Sequence, residues 1–321
     1  MERYASKANI SIIIPVYNEE EVVSILIDQI VTALSPRTDF EIIIVDDGST
    51  DTTLTFVKDL SLKHDNVFYI SFSRNFGHQN ALRAGLNFSK GEAIISMDGD
   101  LQHPPELLPK MIEKWEQGFE VVTTTRRNAV ENSKFKRLSS FWYYRLINKI
   151  GDVELQQGAA DFRLLDRKVV TSLKMFEEKS IFYRGLVAWV GFKQCQLAYS
   201  PRPRKYGRTK YSTRKMVRLA IDGITSFSII PLRLATILGL SMSFFSFTYV
   251  IYALCIKLFT ENAVSGWLSL LAGIYFLGGL QLVFLGIHGE YIGKIFMEVK
   301  RRPNYIVSET NIKIKSHSHA G

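Results

Sequence analysis

The sequence predicts an α/β domain on a mostly parallel sheet, followed by an interfacial helix and two membrane-spanning helices. Three observations over its 321 residues carry that expectation. Short apolar runs alternate with single amphipathic stretches through the first half, the pattern of a sheet covered on both faces. Polar turns rich in carboxylates follow the apolar runs. Two long uncharged stretches lie close together near the C-terminus.

The apolar runs Ile10–Val16, Glu41–Val45, Val67–Phe72, Glu92–Met97 and Glu120–Thr124 read as strands bounded by turn residues. Between them, Glu19–Leu34, Asp51–Leu62, His78–Phe88 and Pro105–Glu116 have helical spacing. Thr50 or Asp51 can cap the second helix, and Pro104 and Pro105 open the fourth. Phe135–Ile150 reads as a further helix, whereas Gly158–Lys168 and Ile181–Phe192 read as irregular or mixed. Tyr199–Tyr211, rich in Pro, Gly and Arg, reads as a loop, and Arg214–Leu232 as a basic amphipathic helix in a membrane interface. In such sheets ligands bind beyond the carboxyl ends of the strands. Those ends carry Tyr17-Asn18-Glu19, Asp46-Asp47-Gly48-Ser49, Ser73-Arg74-Asn75 and Asp98-Gly99-Asp100, so the polar chemistry is expected on one rim.

Leu234–Ile256 and Val264–Ile287 contain no charged residue. At 1.5 Å per residue each reaches roughly 35 Å, enough to cross a hydrocarbon core of about 30 Å. The short connector Lys257–Ala263 makes them a hairpin. Arg214, Lys215, Arg218 and Arg233 precede it and Lys294, Lys300, Arg301 and Arg302 follow, which places both termini in the cytoplasm of a two-span inner-membrane protein. His288 and Glu290 read as interfacial, and Gly278, Gly279, Gly286, Gly289 and Gly293 permit close helix approach and favour a homo-oligomer. The expected division is 1–212 catalytic, 213–233 interfacial helix, 234–290 hairpin and 291–321 cytoplasmic tail.

The net charge of +9 is local: residues 193–233 hold ten Lys/Arg against Asp222 alone. A basic belt next to a membrane hairpin, without an RNA-binding motif, argues for anionic lipid or a phosphorylated substrate and against nucleic acid. Cys195 and Cys255, far apart, have neither metal spacing nor a disulfide framework. The N-terminus lacks the apolar core of a signal peptide, so the catalytic part is expected to stay cytosolic.

Asp98 and Asp100, at i and i+2 where a buried run stops, form a pair whose repulsion a bound cation relieves. Hard oxygen ligands suit Mg²⁺ or Mn²⁺, which keep waters and share a substrate's phosphates. Tyr17 offers a face for a base, and Glu19 and Asp47 offer acceptors for base or ribose. A Gly-x-x-x-x-Gly-Lys-Ser/Thr loop and a Gly-x-Gly-x-x-Gly after the first strand are both missing, which counts against P-loop and dinucleotide chemistry.

Pro15-Val-Tyr-Asn-Glu-Glu20, Val45-Asp-Asp-Gly-Ser-Thr-Asp51, Phe72-Ser-Arg-Asn-Phe-Gly77, Met97-Asp-Gly-Asp-Leu-Gln-His-Pro-Pro-Glu106 and Gly158-Ala-Ala-Asp-Phe-Arg-Leu-Leu-Asp-Arg167 resemble the family 2 inverting glycosyltransferases of GT-A fold. More narrowly, the chain resembles polyprenyl-phosphate glycosyltransferases, the bactoprenol glucosyltransferases and dolichol-phosphate mannose synthases, with the two C-terminal helices matching the former. The resemblance implies that Pro15, Tyr17, Glu19, Val45 and Asp47 hold the nucleoside. It implies that Asp98, Gly99, Asp100 and Gln102 serve ribose, diphosphate and metal, with Asp98, Asp100 and Gln102 as the metal set. Arg126, with Arg127 as an adjacent rival, is similar to the family's phosphate-contacting arginine, and Arg204 and Lys210 to the residues that close over the diphosphate. Many members carry Ala between the aspartates, where Gly99 is smaller and reads as looser. Asp161 matches the family's active-site carboxylate, orienting the acceptor or accepting a proton, and the residues alone equally allow a helix N-cap before Phe162–Leu165. Arg163, Arg184 and Arg202 are candidate contacts for an acceptor phosphate.

The resemblance implies transfer of one sugar from a nucleotide donor, UDP-glucose by the two-helix topology, to undecaprenyl or another polyprenyl phosphate with Mg²⁺ or Mn²⁺. Alternatives are a GDP-mannose-dependent synthase of the dolichol type and a membrane-anchored sugar-nucleotide sensor. A phosphatase using Asp-x-Asp would place that pair near the N-terminus, and a processive synthase would carry Gln-x-x-Arg-Trp, which does not occur.

Overall fold

A computed structural model of the chain describes residues 9–35, 37–126, 159–179, 183–200, 230–259 and 266–313. It divides into two compact units, Met1–Thr213 with Arg302–Gly321, and Arg214–Arg301.

The first unit is built on one eight-stranded sheet in the order β7-β5-β6-β4-β1-β2-β3-β8. Its strands are β1 Ile10–Val16, β2 Phe40–Asp46, β3 Val67–Phe72, β4 Ala93–Ser96, β5 Val121–Arg126, β6 Ala159–Asp166, β7 Gln194–Tyr199 and β8 Val307–Thr310. β4, β1, β2 and β3 run parallel, as does the β5–β7 pair. β6 is antiparallel to both β4 and β5, and β8 is antiparallel to β3. The helices of this unit are α1 Val23–Leu34, α2 Thr53–Lys63, α3 His78–Phe88, α4 Leu108–Glu116 (preceded by a 3₁₀ turn at Pro105–Leu107), α5 Arg167–Lys174 and α6 Tyr183–Trp189.

Every residue of β1 and β2 is buried, because both sheet faces are covered. Ile10, Ile12 and Ile14 of β1 share a core with Leu26, Ile27 and Ile30 of α1 and Met111 and Ile112 of α4. Ile13 points the other way, onto α3, where a Cβ added at Gly85 would fall 2.1 Å from the Ile13 side chain. The parallel apolar strands and their helices therefore match the sequence expectation, with shifts at the ends.

The differences have local causes. α1 begins at Val23 rather than Glu19 because Asn18 takes a left-handed φ of 53° and residues 20–22 form a turn closed on the Glu19 carbonyl. Gly158–Lys168, read as irregular, forms β6 from Ala159. Within Ile181–Phe192, α6 forms from Tyr183. The expected helix Phe135–Ile150, the basic segment Arg214–Leu232 as far as residue 229, and Arg127, Arg202, Arg204 and Lys210 lie outside the described residues.

The stretch 291–321, expected as a tail, contains a strand of the catalytic sheet. β8 pairs with β3; Asn311 Oδ1 accepts the Tyr69 N–H at 2.8 Å, and the Tyr305 ring stacks on Phe72 at 4.9 Å. Lys58 of α2 pairs with Glu309 at 2.7 Å.

The second unit contains two long helices, α7 Ile230–Phe259 and α8 Trp267–Val299. Among the described residues one window, Leu232–Tyr249, has the length and composition of a membrane span and is almost wholly exposed. α8 runs nine residues past the expected hairpin end at residue 290.

Candidate active site

The loops after β1 and β2 are stitched together. Pro15 and Val45 are buried, with Tyr17 and Glu19 half-buried beside them. Asn18 donates its N–H to Ser49 Oγ at 2.9 Å and accepts the Thr50 N–H at 2.8 Å on its side chain. Glu19 donates its N–H to Thr53 Oγ1 at 2.9 Å. These bonds consume the polar residues of both turns and hold Tyr17 and Glu19 at the rim.

Asp47 is buried, and its carboxylate accepts N–H groups from Phe76 at 2.7 Å and Gly77 at 2.9 Å. Burial pushes its pKa up, and the two backbone donors oppose that. Asp47 thus fixes the loop that leads into α3. Gly48 is required there: at φ +67° its Cβ would lie 2.4 Å from the Arg74 backbone, so no side chain fits.

That loop delivers His78, the first residue of α3, to the middle of the rim. His78 Nε2 stands 3.6 Å from Asp98 Oδ1 and 4.0 Å from Asp161 Oδ2. On the other side of Asp98, His103 Nε2 lies 3.6 Å from Oδ2. His103 is fully buried, accepts the Asp98 N–H on Nδ1 at 3.0 Å, and is stacked on Phe162 at 4.9 Å with Tyr199 edge-on. Burial lowers its pKa.

Asp98 and Asp100 are half-buried at the end of β4, and Asp100 Oδ1 accepts the Gln102 N–H at 3.2 Å. Leu101 between them and Gln102 has φ 59°, a left-handed conformation that costs a branched side chain about 1–2 kcal/mol. Such strain concentrates at sites where the chain must turn for function. Gly99, read as loose, is tight: a Cβ there would meet Val16 Cγ1 at 2.8 Å and Pro15 O at 3.2 Å. The small residue lets the acidic turn lie against β1.

Asp161 lies within β6, not at a helix N-cap; that position belongs to Asp166, which accepts the Lys168 N–H at 3.0 Å. The nearly buried Asp161 carboxylate is gripped by Arg163 at 2.5 Å and by Arg184 of α6 at 3.0 and 2.7 Å. Burial opposes its charge, and the Arg184 and Arg163 guanidiniums win, holding it far below the usual carboxylate range. So placed, it is a very weak base. Arg163 is itself buried, whereas Arg184 is 38% exposed and faces solution. At the end of β5, exposed Arg126 donates from Nε to the Tyr199 hydroxyl at 3.2 Å.

The fold therefore gathers Asp98, Asp161, Arg163 and Arg184 through His78 and His103, two residues that sequence reasoning did not single out. The available signal was position: His78 immediately follows Phe72-Ser-Arg-Asn-Phe-Gly77, and His103 lies inside the acidic turn. Among the described residues no cluster of three His, Cys, Asp or Glu side chains is arranged to cage a metal ion. The pair Asp98 and Asp100 still fits a hard divalent cation, since neither is sealed from solvent and such ions take one or two carboxylates plus water and phosphate oxygens.

Residues 11–173 match the family described as "Glycosyl transferase family 2". An "Uncharacterized glycosyltransferase YkcC" from Bacillus subtilis is 43% identical over 301 residues, covering 94% of this chain and 93% of that protein. A "SfII prophage-derived bactoprenol glucosyl transferase" from Shigella flexneri is 39% identical over 304 residues, covering 94% and 98%. A "Prophage bactoprenol glucosyl transferase homolog" from Escherichia coli is 39% identical over 299 residues, covering 93% and 98%. A parallel sheet with its acidic turn at the carboxyl rim, a family match over half the chain and relatives similar along nearly all of it lead to one conclusion: this chain belongs to glycosyl transferase family 2 and is a glycosyltransferase of GT-A fold.

Proposed function

We propose that the enzyme transfers a single glucose from UDP-glucose to a polyprenyl phosphate at the cytoplasmic face of the membrane. The observation that carries this reading is the junction at His78: the acidic turn Asp98–Asp100 and the Asp161–Arg184 cluster meet within 4.0 Å of one imidazole. The first suits a nucleoside diphosphate with a divalent cation and the second an acceptor anion. The Shigella flexneri and Escherichia coli relatives, with bactoprenol in their names, support the acceptor class.

In this reading Tyr17 and Glu19 hold base and ribose beside Pro15, Val45 and Asp47, and Asp98, Gly99, Asp100 and Gln102 face the diphosphate. Mg²⁺ or Mn²⁺ held by Asp98, Asp100 and Gln102 would stabilise the negative charge that develops on the leaving nucleoside diphosphate. Arg126, Arg204 and Lys210 add positive charge on the same oxygens. A phosphomonoester with a second pKa near 6 is roughly nine-tenths dianion at pH 7, so the acceptor needs placing more than deprotonating. Arg184 and Arg202 would place it. Asp161, clamped by two guanidiniums, serves by aiming Arg184 and not by taking a proton.

Two membrane crossings are part of the proposal, and the path of the chain supports an even number. The chain leaves the catalytic unit after Thr213 and returns at Arg302 to add β8 to the same sheet, so any crossings between these points are even in number. If Leu232–Tyr249 crosses once, α8 is the segment that returns. Among the described residues nothing lies within 4 Å of a Cβ built at the glycines of α8, which leaves room for a second copy, and a homo-oligomer is part of the proposal.

The test is transfer of radiolabel from UDP-glucose into an organic-extractable lipid by membranes holding the wild type or Asp100→Ala. Incorporation by the wild type and a loss of about 100-fold or more in the variant is expected. Equal incorporation by both removes the metal assignment, and none from any sugar nucleotide removes the reaction.

A further inference from the structure

Among the described residues, His103 has a hydrogen-bond partner on one polar edge of its ring and none on the other. Its Nδ1 accepts the Asp98 N–H at 3.0 Å, so the ring carries its proton on Nε2. That Nε2–H has no hydrogen-bond partner among the described residues, although the side chain is fully buried. Buried donors are almost always satisfied, so an exception calls for a partner within reach of a small movement. The polar atom in front of it is Asp98 Oδ2, 3.6 Å away and just beyond bonding reach. Phe162 stacks on the imidazole at 4.9 Å and Tyr199 meets it edge-on at 5.9 Å, so the ring is fixed and the carboxylate is the group free to turn. Asp98 Oδ1 faces the opposite way, toward His78 and the open rim.

We propose that His103 is the positioning residue of Asp98, gripping its backbone through Nδ1 and capturing Oδ2 through Nε2–H, so that Oδ1 alone is presented to a divalent cation. The proposal rests on the metal-dependent reading above and adds what that reading lacks, a reason for Asp98 to bind with one oxygen in one orientation. A buried, neutral imidazole suits this work because it offers one acceptor and one donor on opposite edges of a rigid ring. Groups that orient a metal-binding side chain in this way typically change metal affinity by about 10- to 100-fold when removed.

The experiment is Mn²⁺ binding to the purified full-length protein, read from the free-ion electron paramagnetic resonance signal with and without UDP, for wild type, Asp98→Asn, His103→Phe and His103→Asn. Thermal unfolding is recorded in parallel. His103→Phe keeps the ring packing and loses both polar edges; His103→Asn keeps an acceptor where Nδ1 was and loses only the Nε2 donor. The expected result is a Kd for Mn²⁺ raised about 10- to 100-fold in both His103 variants, with His103→Asn unfolding near the wild-type temperature. A His103→Asn protein that is folded and binds Mn²⁺ as tightly as the wild type overturns the proposal, leaving His103 a packing residue. A wild type that binds no Mn²⁺, with Asp98→Asn indistinguishable from it, overturns the metal reading and this proposal together.

Discussion

Asp161 shows how a single residue's role depends on what surrounds it. In the sequence it is one acid in Gly158-Ala-Ala-Asp-Phe-Arg, compatible with a base, an orienting group or a cap. In the fold it accepts from both Arg163 and Arg184 while nearly buried, so removing its charge takes a shared anionic partner from two guanidiniums. Asp161→Asn is expected to destabilise the catalytic unit by about 3–5 kcal/mol at neutral pH, measured by denaturant unfolding followed in the near ultraviolet. The pH dependence has a definite sign. The folded pKa lies below the unfolded value of about 3.9, so the contribution is complete above about pH 5 and is lost as pH falls through 4 toward the folded value. Wild-type and variant stabilities should therefore converge only in acid; a constant gap down to pH 2 would show that the carboxylate's charge is not the cause.

At the scale of elements, β8 was the segment least visible beforehand. It has four residues, Val307–Thr310, and its partner β3 lies more than two hundred positions earlier. No local pattern announces such a pairing. Once docked, it connects with the site: Tyr305 stacks on Phe72, Phe72 meets Phe76 edge-on at 5.7 Å, and Asp47 holds the Phe76 N–H. Tyr305→Ala removes the stack and the bond from Asn87 to the Tyr305 hydroxyl, for an expected loss of about 1–3 kcal/mol. Hydrogen exchange should quicken along Val67–Phe72 and in the Ser73–Gly77 loop before it changes in β1. Unaltered protection there would mean that β8 decorates the sheet without bracing it. β6 escaped notice for a related reason. Phe162 and Leu164 join the core while Asp161 and Arg163 alternate with them as a buried ion pair, so the strand carries charge where an apolar run was sought.

For the whole molecule, the decisive feature is that α7 and α8 are inserted between β7 and β8 of one sheet. Under the proposed two crossings, the connector near residue 261 and the strand near residue 308 lie on opposite sides of a membrane. With Cys195 and Cys255 replaced by serine, Glu261→Cys and Ser308→Cys introduced singly should react with an impermeant maleimide from opposite faces of sealed vesicles. Labelling of both from the same face would eliminate the two crossings.

What the sequence determined by itself rested on short-range pattern. β1, β3 and α3 have the limits read from their apolar spacing, and the carboxylate turns fall at the strand ends because chain direction follows from alternating strands and helices. The glycosyl transferase family could likewise be read from five ordered motifs, and the match over residues 11–173 agrees. Only the tertiary structure decided which side chains meet. His78 and His103 became neighbours of Asp98 from either side, Gly99 proved confined by Val16, and the distant β8 closed an edge of the sheet. Periodicity is written in the spacing of consecutive residues. Contacts between remote segments depend on how packed elements bring them together, and burial and the neighbouring charges together then set the charge of each group.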